Sequence, residues 1–357
     1  MNSIYQDIAE RTNGEIYLGV VGPVRTGKST FVTNFIEQLI LPNISDKNDR
    51  NRTIDELPQS ADGKMIMTTQ PKFVPNQAVQ ITTGERGVAK VRLIDCVGYT
   101  VEGAEGLFDG DTPRLVNTPW SNQPMPFEKA AEIGTHKVVC EHSTVAVVVT
   151  NDGSITQLPR SSYIPAEERV IKELKSTGKP FVIVLNSKNP DSDEAVALAN
   201  ALEQKYGVST VAMDVANANK EQFESLLQTV LREFPVKKIC IDMPKWLRTL
   251  DGDHPIIVSL LEKAKSGCKN VCKMKDVPAF VAEFCESEQF DCMVQQSLNM
   301  GNGEVICKLT PKPSLFYDVL SQKAGTDVAD EYNLIKYVTE TPTQRLNTKS
   351  YLLLWRK

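Results

Sequence analysis

The sequence predicts an α/β fold over residues 1–236, with a mostly parallel sheet and crossover helices, followed by a smaller α+β domain over 237–357. Three observations predict it. From Glu15 to Phe234, short β-branched runs alternate with amphipathic stretches, as strands and their crossover helices do. The amphipathic stretches stop at glycine or proline, where helices end. The first strand runs into a glycine-rich turn that opens a helix, the place where a parallel sheet holds an anion.

In chain order, strands are expected at Ile16–Val21, 91–95, 144–150, Phe181–Asn186 and Thr210–Met213, with a weaker one at 79–83. A helix over 30–41 buries Phe31, Phe35, Ile36, Leu39 and Ile40 on one face. A second, over 166–176, opens after Pro165 and stops at Gly178; a third, Asp193–Tyr206, stops at Gly207. Phe223, Leu226, Leu227 and Val230 repeat at helical spacing before Pro235. Two long connections, 43–75 and 97–126, break the alternation, and loops of that length inside a compact domain are functional or disordered. Beyond Pro235 the pattern weakens to a strand at 237–243, a helix at 255–265 and a strand at 305–309.

The 357 residues suffice for about two domains. Forty Lys and Arg against forty-five Asp and Glu leave a charge of -5, with 41% hydrophobic residues. That balance argues against a nucleic-acid partner held by overall positive charge. The longest apolar runs, 145–149 and 181–185, are too short to span a bilayer, and the polar start lacks a signal-peptide core, so a cytoplasmic location is expected. Eight scattered cysteines in a chain of this size are expected to be reduced thiols.

The turn after the first strand reads Gly22-Pro23-Val24-Arg25-Thr26-Gly27-Lys28-Ser29, which matches the phosphate-loop pattern G-x-x-x-x-G-K-[ST] at every fixed position. The chemistry requires this order. Glycines let successive N–H groups turn inward, Lys28 reaches the β- and γ-phosphate oxygens, Ser29 ligates Mg²⁺, and the helix that begins there adds its dipole. Gly22, Val24, Arg25, Thr26, Gly27, Lys28, Ser29 and Thr30 are therefore the expected nucleotide contacts. Arg25 is placed either to stabilise charge on the γ-phosphate or to form a salt bridge away from it.

The strand at 91–95 ends in Asp95-Cys96-Val97-Gly98, a D-x-x-G pattern. In phosphate-loop switches the carboxylate there holds a Mg²⁺-bound water and the glycine N–H meets the γ-phosphate. Between the two motifs, either Thr68 or Thr69 supplies the hydroxyl that completes the Mg²⁺ shell. A guanine-reading protein carries N-K-x-D after the fifth strand, whereas this chain has Asn186-Ser187-Lys188-Asn189. Only Asn186 fits, and an amide at Asn189 leaves a guanine donor facing a donor, so ATP is expected over GTP unless Asp191 takes the role. Tyr99 stands where such switches often carry the glutamine that orients water. Turnover is then slow, or draws its water-positioning group from Thr68, Thr69 or a neighbouring subunit.

These residues and further runs closely resemble the stage IV sporulation protein A family: DIAERT at 7–12, YLGVVG at 17–22, VRTGKSTF at 24–31, LPNIS at 41–45, DELPQS at 55–60, IMTT at 66–69, PKFVPNQ at 71–77, DCVGYTV at 95–101, NTPW at 117–120 and AAEIGT at 130–135. The resemblance is dense over 4–236 and looser to about 327. It implies a translation-factor-like GTPase fold that has switched to ATP, with Lys28 as the phosphate-loop lysine, Asp95 as the second nucleotide motif, and Thr68 and Thr69 as the pair needed for hydrolysis. It also implies ATP and Mg²⁺ as ligands and a nucleotide cycle that drives self-assembly into filaments. The setting implied is the basement layer of the endospore coat, in the mother-cell cytoplasm at the outer forespore surface. Implied partners are other copies of the chain, spore-coat proteins and a small amphipathic membrane peptide, with peripheral membrane association and no nucleic acid. The family is longer at its C-terminus, and residues 333–357 match no recognised part of it. Alternatives are a nucleotide-binding scaffold without turnover and a GTP-specific switch.

Other signals are read as structural. Cys268, Cys272, Cys285 and Cys292 lack a close C-x-x-C pair, so thiols are expected rather than zinc. Lys263, Lys265, Lys269, Lys273 and Lys275 read as a solvated face, His136, Cys140 and His142 as packing, and Trp120 as a local loop anchor.

Overall fold

The structure, a computed structural model, describes residues 15–58, 71–83, 87–104, 106–109, 112–285, 289–299 and 303–340. They fall into two compact units. The first runs to Pro235 and takes in Lys273–Lys275; the second begins at Val236.

The first unit is built on a six-stranded sheet. Its strands are β1 (Ile16–Val21), β2 (Lys72–Thr83), β3 (Gly87–Asp95), β8 (Val145–Asn151), β9 (Phe181–Asn186) and β10 (Thr210–Met213), in the order β10-β9-β8-β1-β3-β2. All neighbours run parallel except β2, which pairs antiparallel with β3 at the sheet edge. Pro75 lies in that edge strand, where a missing N–H costs no interior ladder bond. Every residue of β8 is buried, which is why its sequence opens with a continuous apolar run, Val145 to Val149, and not an alternation.

Helices cover both faces. The helix α1 (Lys28–Phe35) and a π-turn, Ile36–Ile40, continue from the first turn, and Phe31, Phe35, Ile36, Leu39 and Ile40 are all buried as their spacing predicts. Phe31 and Phe35 meet Phe223 of α6 (Lys220–Arg232) with ring centroids 5.5 and 5.6 Å apart. Against the opposite face lie α4 (Arg160–Thr177) and α5 (Asp193–Tyr206), whose Tyr163, Val170, Leu174, Leu202 and Tyr206 pack with Ala146, Val148, Ile183 and Leu185.

The expected opening of α4 after Pro165 is corrected: the helix starts at Arg160 and runs through that proline. One helical bond is lost there, and burial of Tyr163 and Ala166 on the core side outweighs it. Both long connections carry structure. The first holds α2 (Lys47–Asp55), capped by Asp46; the second holds two hairpins, β4–β5 (Phe108–Asp109 with Thr112–Pro113) and β6–β7 (Leu115–Thr118 with Ser121–Pro126), before α3 (Phe127–Lys137).

The second unit has a three-stranded sheet, order β11-β13-β12. Its central strand β13 (Glu304–Pro311) runs parallel to β11 (Lys238–Asp242) and antiparallel to β12 (Phe290–Asn299). Helices α7 (Pro255–Cys268), α8 (Val277–Ala282) and α9 (Pro313–Ala324) accompany it. Strand β12 and α9 had no clear sequence signal; β12 exposes Val294 together with Asp291, Gln295, Gln296 and Ser297, so neither period is clean. Cys268 and Cys272 are free and exposed, whereas Cys285 is disulfide-bonded, a departure from the expectation of reduced thiols.

One buried carboxylate ties the α4 layer together. Glu167, with a side chain 1% exposed, pairs with Arg160 at 2.6 Å and accepts hydrogen bonds from Thr150 at 2.6 Å and Tyr206 at 3.1 Å. Replacing Glu167 by alanine takes the carboxylate away from the half-buried Arg160, from Thr150 and from Tyr206, so the first unit is expected to lose about 1–3 kcal/mol of stability. Urea unfolding of the full chain followed by circular dichroism measures it, and a change under 1 kcal/mol rejects the assignment.

Candidate nucleotide-binding site

The site forms where β1 ends and α1 begins. Between Val21 and Lys28 the backbone turns through positive φ at Gly22, Arg25 and Gly27 (140°, 63° and 92°). Gly27 has a further reason to lack a side chain, because a Cβ there would stand 2.4 Å from the Asn186 amide nitrogen. Asn186, the last residue of β9, is buried. Its Nδ2 donates to the Thr26 carbonyl at 3.0 Å, and its Oδ1 accepts from the Val215 N–H at 3.1 Å. The asparagine expected from its place after the fifth strand therefore ties the loop to the segment after β10. Thr26 turns its hydroxyl back onto the Pro23 carbonyl at 3.0 Å.

Lys28 is 5% exposed, with Nζ 2.5 Å from the Pro23 carbonyl. Burial lowers its pKa from the ordinary lysine value, partly opposed by its neighbours Cys96 and Asp95. Asp95 ends β3 and is 7% exposed; burial raises its carboxyl above the usual range, while the Ser29 hydroxyl, donating to Oδ2 at 2.8 Å, and the Lys28 charge pull it back. Oδ1 of Asp95 is buried with no hydrogen-bond partner. A desolvated ammonium beside a half-satisfied carboxylate and a serine hydroxyl suits a polyphosphate with its divalent cation. These residues fit Mg²⁺: Ser29 would hold it directly and Asp95 through water, and the bound ion would draw charge from the phosphate oxygens.

The loop after Asp95 is pinned at several points. Tyr99 pairs with the phosphate loop through its backbone: the Val24 N–H donates to its carbonyl at 2.8 Å, and its own N–H donates to the Gly22 carbonyl at 3.3 Å. Its ring is buried, its hydroxyl donates to Glu173 of α4 at 2.5 Å, and Arg169 lies over the ring, 4.3 Å from its centroid. Tyr99 thus faces the helix layer and orients no water at the phosphate. Val24, expected among the nucleotide contacts, gives its amide to Tyr99 and buries its side chain. Gly98 packs against the loop so closely that a Cβ would lie 2.2 Å from the Gly22 carbonyl and 2.5 Å from Lys28 Nζ. Its N–H, expected to face a γ-phosphate, donates to Thr135 Oγ1 at 3.1 Å.

Thr30 lies in the first turn of α1, partly buried. Thr68 and Thr69 lie outside the described residues. On the base-reading side, the Asn189 N–H donates to the Ser187 hydroxyl at 3.1 Å, and Asn189 and Asp191 are exposed. Sequence reasoning missed Thr135 and Glu173. Thr135 stood in one of the family-like runs, but nothing local pointed it at Gly98.

Asn186→Ala removes both bonds that brace the loop and leaves two buried backbone groups unmatched. ADP affinity by titration calorimetry is expected to fall about tenfold or more, and an unchanged affinity would show that the loop holds its shape unaided.

Among the described residues no helix is long and apolar enough to cross a membrane. Residues 1–235 match the family description "Stage IV sporulation protein A, ATPase domain", and residues 236–350 match "Stage IV sporulation protein A, middle domain". The chain is 45% identical over 338 residues to Stage IV sporulation protein A of Clostridioides difficile (strain 630), covering 95% of this chain and 69% of that protein. Its counterpart in Bacillus subtilis (strain 168) is 45% identical over 337 residues, covering 94% and 68%, and that of Bacillus anthracis is 43% identical over the same span. With both units matched in order and the phosphate loop intact, the chain belongs to the stage IV sporulation protein A family, and its first unit is that family's ATPase domain.

Proposed function

We propose that the chain binds ATP with Mg²⁺ in the phosphate loop and hydrolyses it to ADP and phosphate, and that this cycle drives its self-assembly into the basement layer of the endospore coat at the forespore surface. The observation that carries the nucleotide reading is the buried Lys28 ammonium beside the unpartnered Asp95 Oδ1 and the Ser29 hydroxyl. In hydrolysis, water adds to the γ-phosphorus while the bond to the bridging oxygen breaks. Lys28 sits where it neutralises charge on the phosphate oxygens. Energy reaches the assembly surface only through contacts that differ between the ATP and ADP states.

Tyr99 favours a second reading, a scaffold that binds nucleotide without turning it over, because its hydroxyl is committed to Glu173. Thr68 or Thr69 then decides between the two. Lys28→Ala is expected to abolish nucleotide binding. The double variant Thr68→Ala with Thr69→Ala is expected to bind ATP as the parent does and to stop turnover. Single-turnover phosphate release measures this, and equal release from parent and double variant rejects the threonine assignment.

Adenine is the expected base because Ser187 and Asn189 replace the lysine and aspartate that read guanine. Competition of GTP against ATP for the purified chain tests it. A preference for ATP supports the reading, and a strong preference for GTP overturns it. Assembly is followed by light scattering with and without ATP, and scattering that ignores nucleotide would detach assembly from the site.

A further inference from the structure

We infer that Thr135 is a latch on the γ-phosphate-sensing amide: its hydroxyl holds the Gly98 N–H when no γ-phosphate is present and competes with that group when one arrives. The inference rests on the nucleotide reading above and assigns a positioning role to a residue outside both phosphate motifs.

Gly98 packs directly against Lys28. A Cβ on it would lie 2.5 Å from Lys28 Nζ, the cation that meets the terminal phosphates. Its N–H carries one hydrogen and is donated to Thr135 Oγ1 at 3.1 Å; the Cys96 sulfur, the weaker acceptor, faces the same amide and the same hydroxyl. Thr135 cannot follow the amide toward a nucleotide. It is fully buried in the last turn of α3, with Ala131, Val138 and Val139 equally buried around it.

The loop on either side of Gly98 is held as well. Cys96 donates from Sγ to the Val20 carbonyl at 3.3 Å, and Tyr99 pairs with the phosphate loop through both of its backbone groups. Between those pins lies a glycine at φ 97°, the residue type that lets one peptide turn without moving its neighbours. A γ-phosphate oxygen therefore takes the amide by breaking the Thr135 bond, and ADP leaves that bond intact. Each turnover opens and closes one hydrogen bond to α3.

The test compares a non-hydrolysable β,γ-imido analogue of ATP with ADP, both with Mg²⁺, by titration calorimetry on the full chain. Thr135→Val keeps the shape and removes the acceptor. Its analogue-to-ADP affinity ratio is expected to rise about 3- to 10-fold over the parent, the worth of one net hydrogen bond. ADP affinity is expected to stay within about twofold. Thr135→Ser retains the hydroxyl and keeps the parent ratio. A ratio that is unmoved or lowered in Thr135→Val overturns the latch, while a parent that binds neither nucleotide overturns the nucleotide reading itself and the latch with it. If Thr135→Val does not fold, the Gly98 amide resonance of the unaltered chain decides: it moves between the ADP and analogue complexes if the acceptor changes, and an unmoved resonance overturns the latch.

Discussion

Lys28 carries a positive charge to the carboxyl edge of a parallel sheet, where burial works to strip it of its proton. A bare ammonium there is costly unless the surroundings supply negative charge, and the surroundings are built to do so. Asp95 lies close enough to act on it, and the Pro23 carbonyl accepts its hydrogen. The residues that look decorative in the sequence hold this arrangement still. Asn186 braces the loop from one side, Tyr99 from the other, and Gly27 and Gly98 are glycines because any side chain would strike Asn186 or Lys28.

The same constraint reaches the helix layer. The D-x-x-G loop does not stand free beside the nucleotide site, because the Tyr99 hydroxyl ends on Glu173 and Arg169 covers its ring. Arg169 is also bound to Glu132, and the His136 ring lies 3.4 Å from Glu173, so α3 and α4 share one polar cluster beneath the loop. Through Thr135 and Tyr99 the loop contacts both helices. Side-chain hydrogen bonds therefore join the D-x-x-G loop to these two helices at two points. Exposed ion pairs such as Arg169 with Glu132 contribute little to stability, and their value here is geometric.

The second unit follows different rules. Its three-stranded sheet mixes one parallel and one antiparallel pairing, and Val305, Cys307 and Leu309 of the central strand are buried while alternate residues are not. In the first unit, Lys273 and Lys275, expected on one solvated face with Lys263, Lys265 and Lys269, both pair instead with the buried carboxylate of Glu233, at 2.6 and 2.8 Å. Burial pushes that carboxyl up, but the hydrogen bonds from the two lysines and Ser209 outweigh it and hold the group below its ordinary value.

The sequence by itself determined the five parallel strands of the first unit's sheet, the phosphate loop, and the buried faces and stops of the helices it placed, but not the two hairpins, α2, α3 or the full length of β2. These are local properties: a buried parallel strand must be continuously apolar, an amphipathic helix must repeat its apolar positions, and a phosphate loop must place its glycines and lysine in a fixed order. Pro165 misled the reading because its local cost is real and only the packing of Tyr163 shows why the helix bears it. Tertiary structure alone decided where the polar groups end. Gly98 finds Thr135 37 residues away, Tyr99 finds Glu173 74 residues away, and Asn186 finds Thr26 160 residues away. None of these pairs has a spacing that marks it in one chain, because a hydrogen bond across a fold depends on which strands and helices become neighbours.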